Sequence, residues 1–195
     1  DLRGANPHEA KLGGADLSGA DLSGANLNKA DLRRAKLTGA KLPNAMLFGA
    51  RLGAADLAKA DLSNAMMRTI DLTRANLEGA RVTGVDLREA RMANSRLAGA
   101  DFSKSGLDNS QLAGADLTNA KLTEANLFQV SLREAVLRGA DFSLATVYDS
   151  DLKGADLTGA KFAGADLTST ILTDTIQAGT DFTDAIMPDG RVLPR

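Results

Sequence analysis

The stretch Ala15-Asp16-Leu17-Ser18-Gly19, Ala20-Asp21-Leu22-Ser23-Gly24, Ala25-Asn26-Leu27-Asn28-Lys29 states one five-residue pattern three times. Carried outward without an insertion, it covers almost all of the 195 residues. Of the 38 central positions, numbered 2, 7, 12 and so on to 187, 36 are Leu, Met, Val or Phe, and Pro7 and Gln177 are the exceptions. Two residues before the centre, 27 of 37 sites are Ala.

Period five suits neither regular element. Along a helix, steps of about 100° scatter successive leucines over all sides. Along one continuous strand, an odd period sends neighbouring leucines to opposite faces. Gly at 15 of the last repeat positions also argues against helix, at about 1 kcal/mol each relative to Ala. Inside one repeat, however, Ala and Leu are two residues apart and share a face of an extended segment. If the chain turns once per repeat at Gly14, Gly19, Gly24, Asn44 and their equivalents, every such pair faces a common axis. The pattern therefore predicts a solenoid whose coils bond to those above and below.

These residues resemble the pentapeptide-repeat family, with its A-(D/N)-L-x-x motif, from residue 1 to about 187. The resemblance implies an all-β fold, a right-handed quadrilateral parallel β-helix with four repeats per coil. That gives about nine to ten coils of 20 residues, roughly 45 Å tall at an inter-strand spacing of ~4.8 Å. One domain over 1–187 is expected, with 188–195 as a C-terminal tail.

Outward charges test the 20-residue coil independently. Asp21, Lys41, Asp61, Arg81, Asp101, Lys121, Asp141, Lys161 and Asp181 alternate in sign without exception. Lys11, Asp31, Arg51, Asp71 and Arg91 alternate in the same way. A 15-residue coil would instead stack Lys36 on Arg51. Opposite charges on adjacent strands stabilise by ~0.2–1 kcal/mol per pair, and like charges destabilise.

The same register stacks Phe102, Phe142, Phe162 and Phe182 on one inner face, with Leu122 interposed, as core packing. Pro7 at a central site predicts a worn first coil, because proline cannot donate to a ladder. At the other end Ile171, Ile176 and Ile186 occupy outward positions, and the expectation is an apolar lid over the last coil. The ending Ala185-Ile186-Met187-Pro188-Asp189-Gly190 is similar to endings of cyanobacterial and plastid family members. The chain opens at Asp1 in register and without Met, as a processed or a trimmed protein would, and the sequence leaves the compartment open between cytoplasm, periplasm and thylakoid lumen.

Chemistry is sparse. There is no Cys, and the one His, His8, lies on the edge coil, so neither a Cys nucleophile nor a Ser-His pair is expected. Outer-wall Asp beside Lys or Arg favours ionised carboxylates over a raised-pKa acid. The alternation of Asp with Lys also removes the unneutralised oxygen cluster that calcium requires. Scattered Gly gives no phosphate loop. The column Ser23, Pro43, Ser63, Thr83, Ser103, Thr123, Ser143, Ser or Thr but for Pro43, could suggest an ice-binding face, but charged neighbours argue against it. No enzyme, cofactor or metal is expected.

Net charge is -2, which gives no field for nucleic acid or an anionic membrane, and no apolar run reaches the ~20 residues of a membrane span. The resemblance also implies a function to test, since family members that bind DNA gyrase, a topoisomerase, imitate duplex DNA with an acidic rod. Summed over outward residues, the walls carrying Leu2, Pro7, Leu12 and Leu17 hold about -2, -4, +3 and -1. A duplex of this length carries roughly 25 negative charges, so DNA mimicry is disfavoured. What stands out is apolar residues facing solvent on the Pro7 wall: Met46, Phe48 and Met66, with Phe128 and Tyr148 higher up. The expectation is a non-enzymatic scaffold that binds a protein partner there, or that pairs with a second copy through a side wall or the C-terminal end.

Overall fold

The computed structural model describes residues 1–194 of the chain, and those residues contain no helix. Its framework is a set of parallel one-residue bridges that join each position before a centre to the residue 20 further on. They begin at Lys11↔Asp31 and run to Asp166↔Ile186. Four repeats thus make one coil, and four outer walls run the length of the stack.

The backbone bonding of one repeat explains its composition. At the Leu42 repeat, the Lys41 amide donates to the coil above (Ala20 O, 2.9 Å), and Leu42 and Asn44 donate to the coil below (Asp61 O, 2.7 Å; Ser63 O, 3.0 Å). The Ala45 amide then closes a four-residue turn on Leu42 O at 3.1 Å. These four amides are satisfied; the residue directly after the centre is Pro43 here, which has no N–H, and in the other repeats that amide has no backbone acceptor among the described residues. Where Asp stands before the centre, and at Asn26 and Asn76, the carboxylate or amide oxygen accepts that proton. Ser63 N donates to Asp61 at 3.0 Å, Thr73 N to Asp71 at 3.1 Å and Thr158 N to Asp156 at 3.0 Å. A Ser or Thr at the amide adds its hydroxyl, as Ser63 does at 2.5 Å and Thr158 at 2.6 Å. The D/N of the motif is therefore a turn device.

Each turn places its third residue at positive φ, as a type II turn requires. Glycine fills only some of these places. Lys29, Arg34, Glu89 and even the β-branched Thr69 (φ 57°) adopt the same conformation.

Leu and Ala from all four walls form one continuous buried core from Leu22 to Leu167. Phe142 stacks on Phe162 at 4.7 Å and Phe162 on Phe182 at 5.4 Å, while Phe102 is buried two coils away from Phe142. The ends differ. Leu2 is exposed and Pro7 half-buried, and with no N–H Pro7 omits the bond to the second coil that Leu2 makes to Asp21. At the C-terminus the expected isoleucine lid does not form: Ile171 and Ile176 are 46% and 54% exposed. They occupy the ladder position, which points sideways from the wall. The cover comes from the tail, where Val192 pairs antiparallel with Ile186 and Leu193 exchanges bonds with Asp184 and Ala185. It reaches one wall.

The charge columns have the expected register, but the Asp21–Asp181 column closes no ion pair within 4 Å among the described residues. Its carboxylates are turned onto their own turns. The Asp21 carboxyl is held below its usual range first by the Ser23 hydroxyl and then by the Ser23 amide; Arg3 and Lys41 add lesser electrostatic effects.

Candidate functional site: the Pro7 wall

The repeat asks nothing of the outward positions on the Pro7 wall, so apolar side chains there are unexplained by coil packing. Met46 and Met66 are bridge partners on adjacent coils. Phe48 lies in the column beside them, its amide bonded to Asn28 Oδ1 at 2.8 Å because Met46 offers it no acceptor. Met66 and Phe48 are 51% and 47% exposed and Met46 half-buried, and together with Asn28, Arg68, Asp86 and Arg88 they frame a depression of about 300 Å³. Farther along, Phe128 and Tyr148 stack face to face, ring centroids 5.7 Å apart and planes at 17°.

The five residues share one wall but form two patches. Between them lie ion pairs: Arg68 reaches Glu89 across coils at 2.5 Å, and Arg88 grips the Asp86 of its own repeat at 2.6 Å. The Arg88 guanidinium, bonded through its side chain, holds the Asp86 carboxyl low. This wall is thus apolar, charged, then aromatic.

Both corners that bound it are irregular, which composition alone did not suggest. At most corners the Ala amide closes the turn. Where Val85 and Val130 replace Ala, the amide instead donates to a serine hydroxyl one coil below: Val85 N to Ser105 Oγ at 3.0 Å and Val130 N to Ser150 Oγ at 2.9 Å. Each hydroxyl in turn donates to the carbonyl that the turn would have used, Val82 O at 2.6 Å and Leu127 O at 2.5 Å. The Val130–Ser150 relay stands directly behind Phe128 and Tyr148. The pairing of Val at one coil with Ser 20 residues later was the readable signal.

Two further exposed apolar residues lie elsewhere. Leu144, on the Leu2 wall, is 62% exposed at a left-handed turn position (φ 60°), and its side chain leans on Gly164. Leu2 sits on the first coil. No group of three or more His, Asp or Glu capable of holding a metal occurs among the described residues, and no helix there is long and apolar enough to cross a membrane.

Parallel coils of four five-residue repeats around a Leu/Ala core define a β-helical solenoid. Pentapeptide-repeat matches recur over residues 1–39, 15–53, 70–109, 110–147 and 148–187, and the chain belongs to that family, whose fold is the right-handed quadrilateral β-helix. Among solved structures it is similar to HetL of Nostoc sp. strain PCC 7120, described as involved in heterocyst differentiation regulation. That match has 33% identity over 96% of this chain and 91% of HetL, with a TM-score of 0.44. A pentapeptide-repeat protein of the Arabidopsis thaliana thylakoid lumen is 36% identical over 55% of this chain and 72% of its own, TM-score 0.43. QnrB1, a plasmid-mediated fluoroquinolone resistance protein, shares the fold at 20% identity over 85% of this chain and 90% of its own, TM-score 0.56. No curated protein matches the sequence.

Proposed function

We propose that this β-helix, of about nine to ten coils, is a non-enzymatic interaction module that binds a protein partner through the Pro7 wall. The observation that supports this reading is the exposure of Phe48, Met66 and Tyr148 at positions where the turn chemistry favours small or polar residues. Aromatic and Met side chains concentrate binding energy at interfaces, and desolvating them contributes ~25 cal/mol per Å². The two patches would act as separate anchors, with the Arg68–Glu89 and Arg88–Asp86 pairs between them setting alignment rather than affinity. The acidic excess on this wall is far below that of a duplex, which gives a DNA-mimic reading no support.

The test is the variant Phe48→Ser, Phe128→Ser, Tyr148→Ser. Its melting temperature should stay close to that of the parent, because the three side chains lie outside the core. In pull-downs from the native source, a protein retained by the parent should be lost with the variant. Retention of the same protein by both would remove this wall from consideration and point to the exposed C-terminal isoleucines.

A further inference from the structure

A second feature, independent of the Pro7 wall, lies on the first half of the Leu12 wall. There the outward residues alternate small and large from coil to coil: Gly13-Gly14, Arg33-Arg34, Gly53-Ala54, Thr73-Arg74. The missing side chains leave a recess of about 710 Å³ walled by guanidinium groups.

Three observations converge on it. The first is an excess of positive charge. Elsewhere most described arginines close ion pairs, as Arg96 does with Glu78, Arg133 with Asp151 and Arg138 with Asp156. Around the recess Arg33 is bound to Asp31, but exposed Arg34, Arg51, Arg74 and Arg91 have no ion pair or side-chain hydrogen bond among the described residues. The second is an empty acceptor place. In the coils above and below, the amide after the centre is capped by a carboxylate, Arg33 N by Asp31 at 3.2 Å and Thr73 N by Asp71 at 3.1 Å. In the middle coil Arg51 stands where that Asp would be, so the Gly53 amide lacks the carboxylate its neighbours have. Lys11 leaves the Gly13 amide in the same condition. The third is room. A Cβ placed on Gly53 would meet Thr73 O, Arg33 Cγ and Asp71 Oδ2 at 3.8–4.0 Å, ordinary contact distances, so a side chain could start there without a clash and the Gly is not there to relieve one.

We infer that this recess binds an acidic, extended segment of a protein partner, whose carboxylates take the places on the Gly53 and Gly13 amides that Asp side chains fill in the neighbouring coils. A carboxylate on an amide and between guanidiniums makes charge-assisted bonds of the stronger kind. The two amides are two coils apart, about 9.6 Å at ~4.8 Å per coil. A polyproline II segment advances ~3.1 Å per residue with three residues per turn, so acidic side chains at every third residue recur at nearly the same interval on one face. A nucleic acid fits less well, because Asp31 and Asp71 border the recess and would oppose a continuous run of phosphates.

The experiment uses the whole chain and a fluorescein-labelled peptide of repeated Glu-Pro-Pro units, read by fluorescence anisotropy. Binding should be saturable and weaken as salt is raised, while the matching Lys-Pro-Pro peptide should not bind. Arg34→Glu with Arg74→Glu should weaken it roughly tenfold or more. Glu is accommodated at that turn position, as Glu89 and Glu134 show, so the fold should persist. Gly53→Glu, which fills the recess with the wrong charge, should do the same. Arg81→Glu removes another exposed arginine without an ion pair, on the Leu2 wall, and should leave binding unchanged. Equal loss with Arg81→Glu, no loss with Gly53→Glu, or tighter binding of a short DNA duplex than of the peptide would each overturn the assignment. The Phe48, Phe128, Tyr148 variant should bind the peptide like the parent, so failure of one proposal does not carry the other with it.

Discussion

Two corners of the same coil solve one problem differently. At the corner running from Ala20 to Ala160, every residue is Ala and each closes its turn at 2.8–3.0 Å, from Ala20 on Leu17 to Ala160 on Leu157. The Ala10 corner starts identically, then carries Ile70, Ser110, Val130, Ser150 and Thr170. There the Ile70 closure stretches to 3.2 Å, and at Val130 it is replaced by the Ser150 hydroxyl. At Val130, as at Val85, valine holds the corner open and a serine hydroxyl from the next coil completes the bonding, whereas Ile70 and Thr170 still close their turns, at 3.2 and 2.9 Å. The open corners are therefore those where Val in one coil is followed by Ser 20 residues later. The irregular corners border the wall with the exposed aromatics, whereas the regular corner joins walls that lack them.

Leu77, whose carbonyl closes the Ala80 turn in the regular corner, is fully buried. Leu77→Asp should cost several kcal/mol, because an unpaired charge or a forced neutral acid replaces core. A melting temperature near that of the parent would show that the regular corner does not depend on its filled interior.

A smaller effect belongs to the relay. Ser150→Ala strips the buried Val130 amide and Leu127 carbonyl of their shared partner, at a cost of about 1–3 kcal/mol. The double variant Val130→Ala, Ser150→Ala should recover much of that loss in urea titrations, since an alanine amide at that corner could close on Leu127 as Ala120 does on Leu117. If the double variant is as unstable as the single one, the two residues are not coupled.

The smallest effect is electrostatic and is read beside the regular corner. The Asp156 carboxyl is lowered to about 2 by the Thr158 hydroxyl, then the Thr158 amide and the Arg138 guanidinium. A folded-state value below the unfolded one contributes stability that is complete above the ordinary carboxylate value and is lost as pH falls from about 4 towards 2. Asp156→Asn keeps the turn acceptor, as Asn76 does for Glu78 N, and should change stability near neutrality by at most ~1 kcal/mol. It should also flatten part of the acid limb of the melting profile, which Ser150→Ala should leave as steep as in the parent.

Inward positions were legible because burial makes the same demand of every repeat: Leu or Phe at the centre, Ala two before. The coil length was legible from charge alternation, although the charges that revealed it mostly do not touch. Asp and Asn before the centre look like wall charge in the sequence, because nothing in composition says that one amide per repeat lacks a backbone acceptor. Ile171 and Ile176 do not fold over the end because ladder direction, which apolarity does not reveal, points them sideways. The five apolar residues of the Pro7 wall fall on one face, as the register implies, yet their division into two patches depends on Arg68 and Arg88 choosing partners across and within coils. The recess at Gly53 was invisible to residue-by-residue reading, since it consists of what three adjacent coils leave out together.

The tail that folds back on the last coil has a mechanical consequence. Pulled from its two ends, a stack of this kind loads its hydrogen bonds a few at a time and peels, so force should be released in equal teeth. Each coil freed would add about 65 Å of contour, 20 residues at ~3.3–3.6 Å less the height it occupied. The N-terminal coil, where Pro7 omits a rung, is the natural place for tearing to start. The Val192–Ile186 clasp makes the opposite end the firmer anchor, so the teeth should be counted down from one direction only.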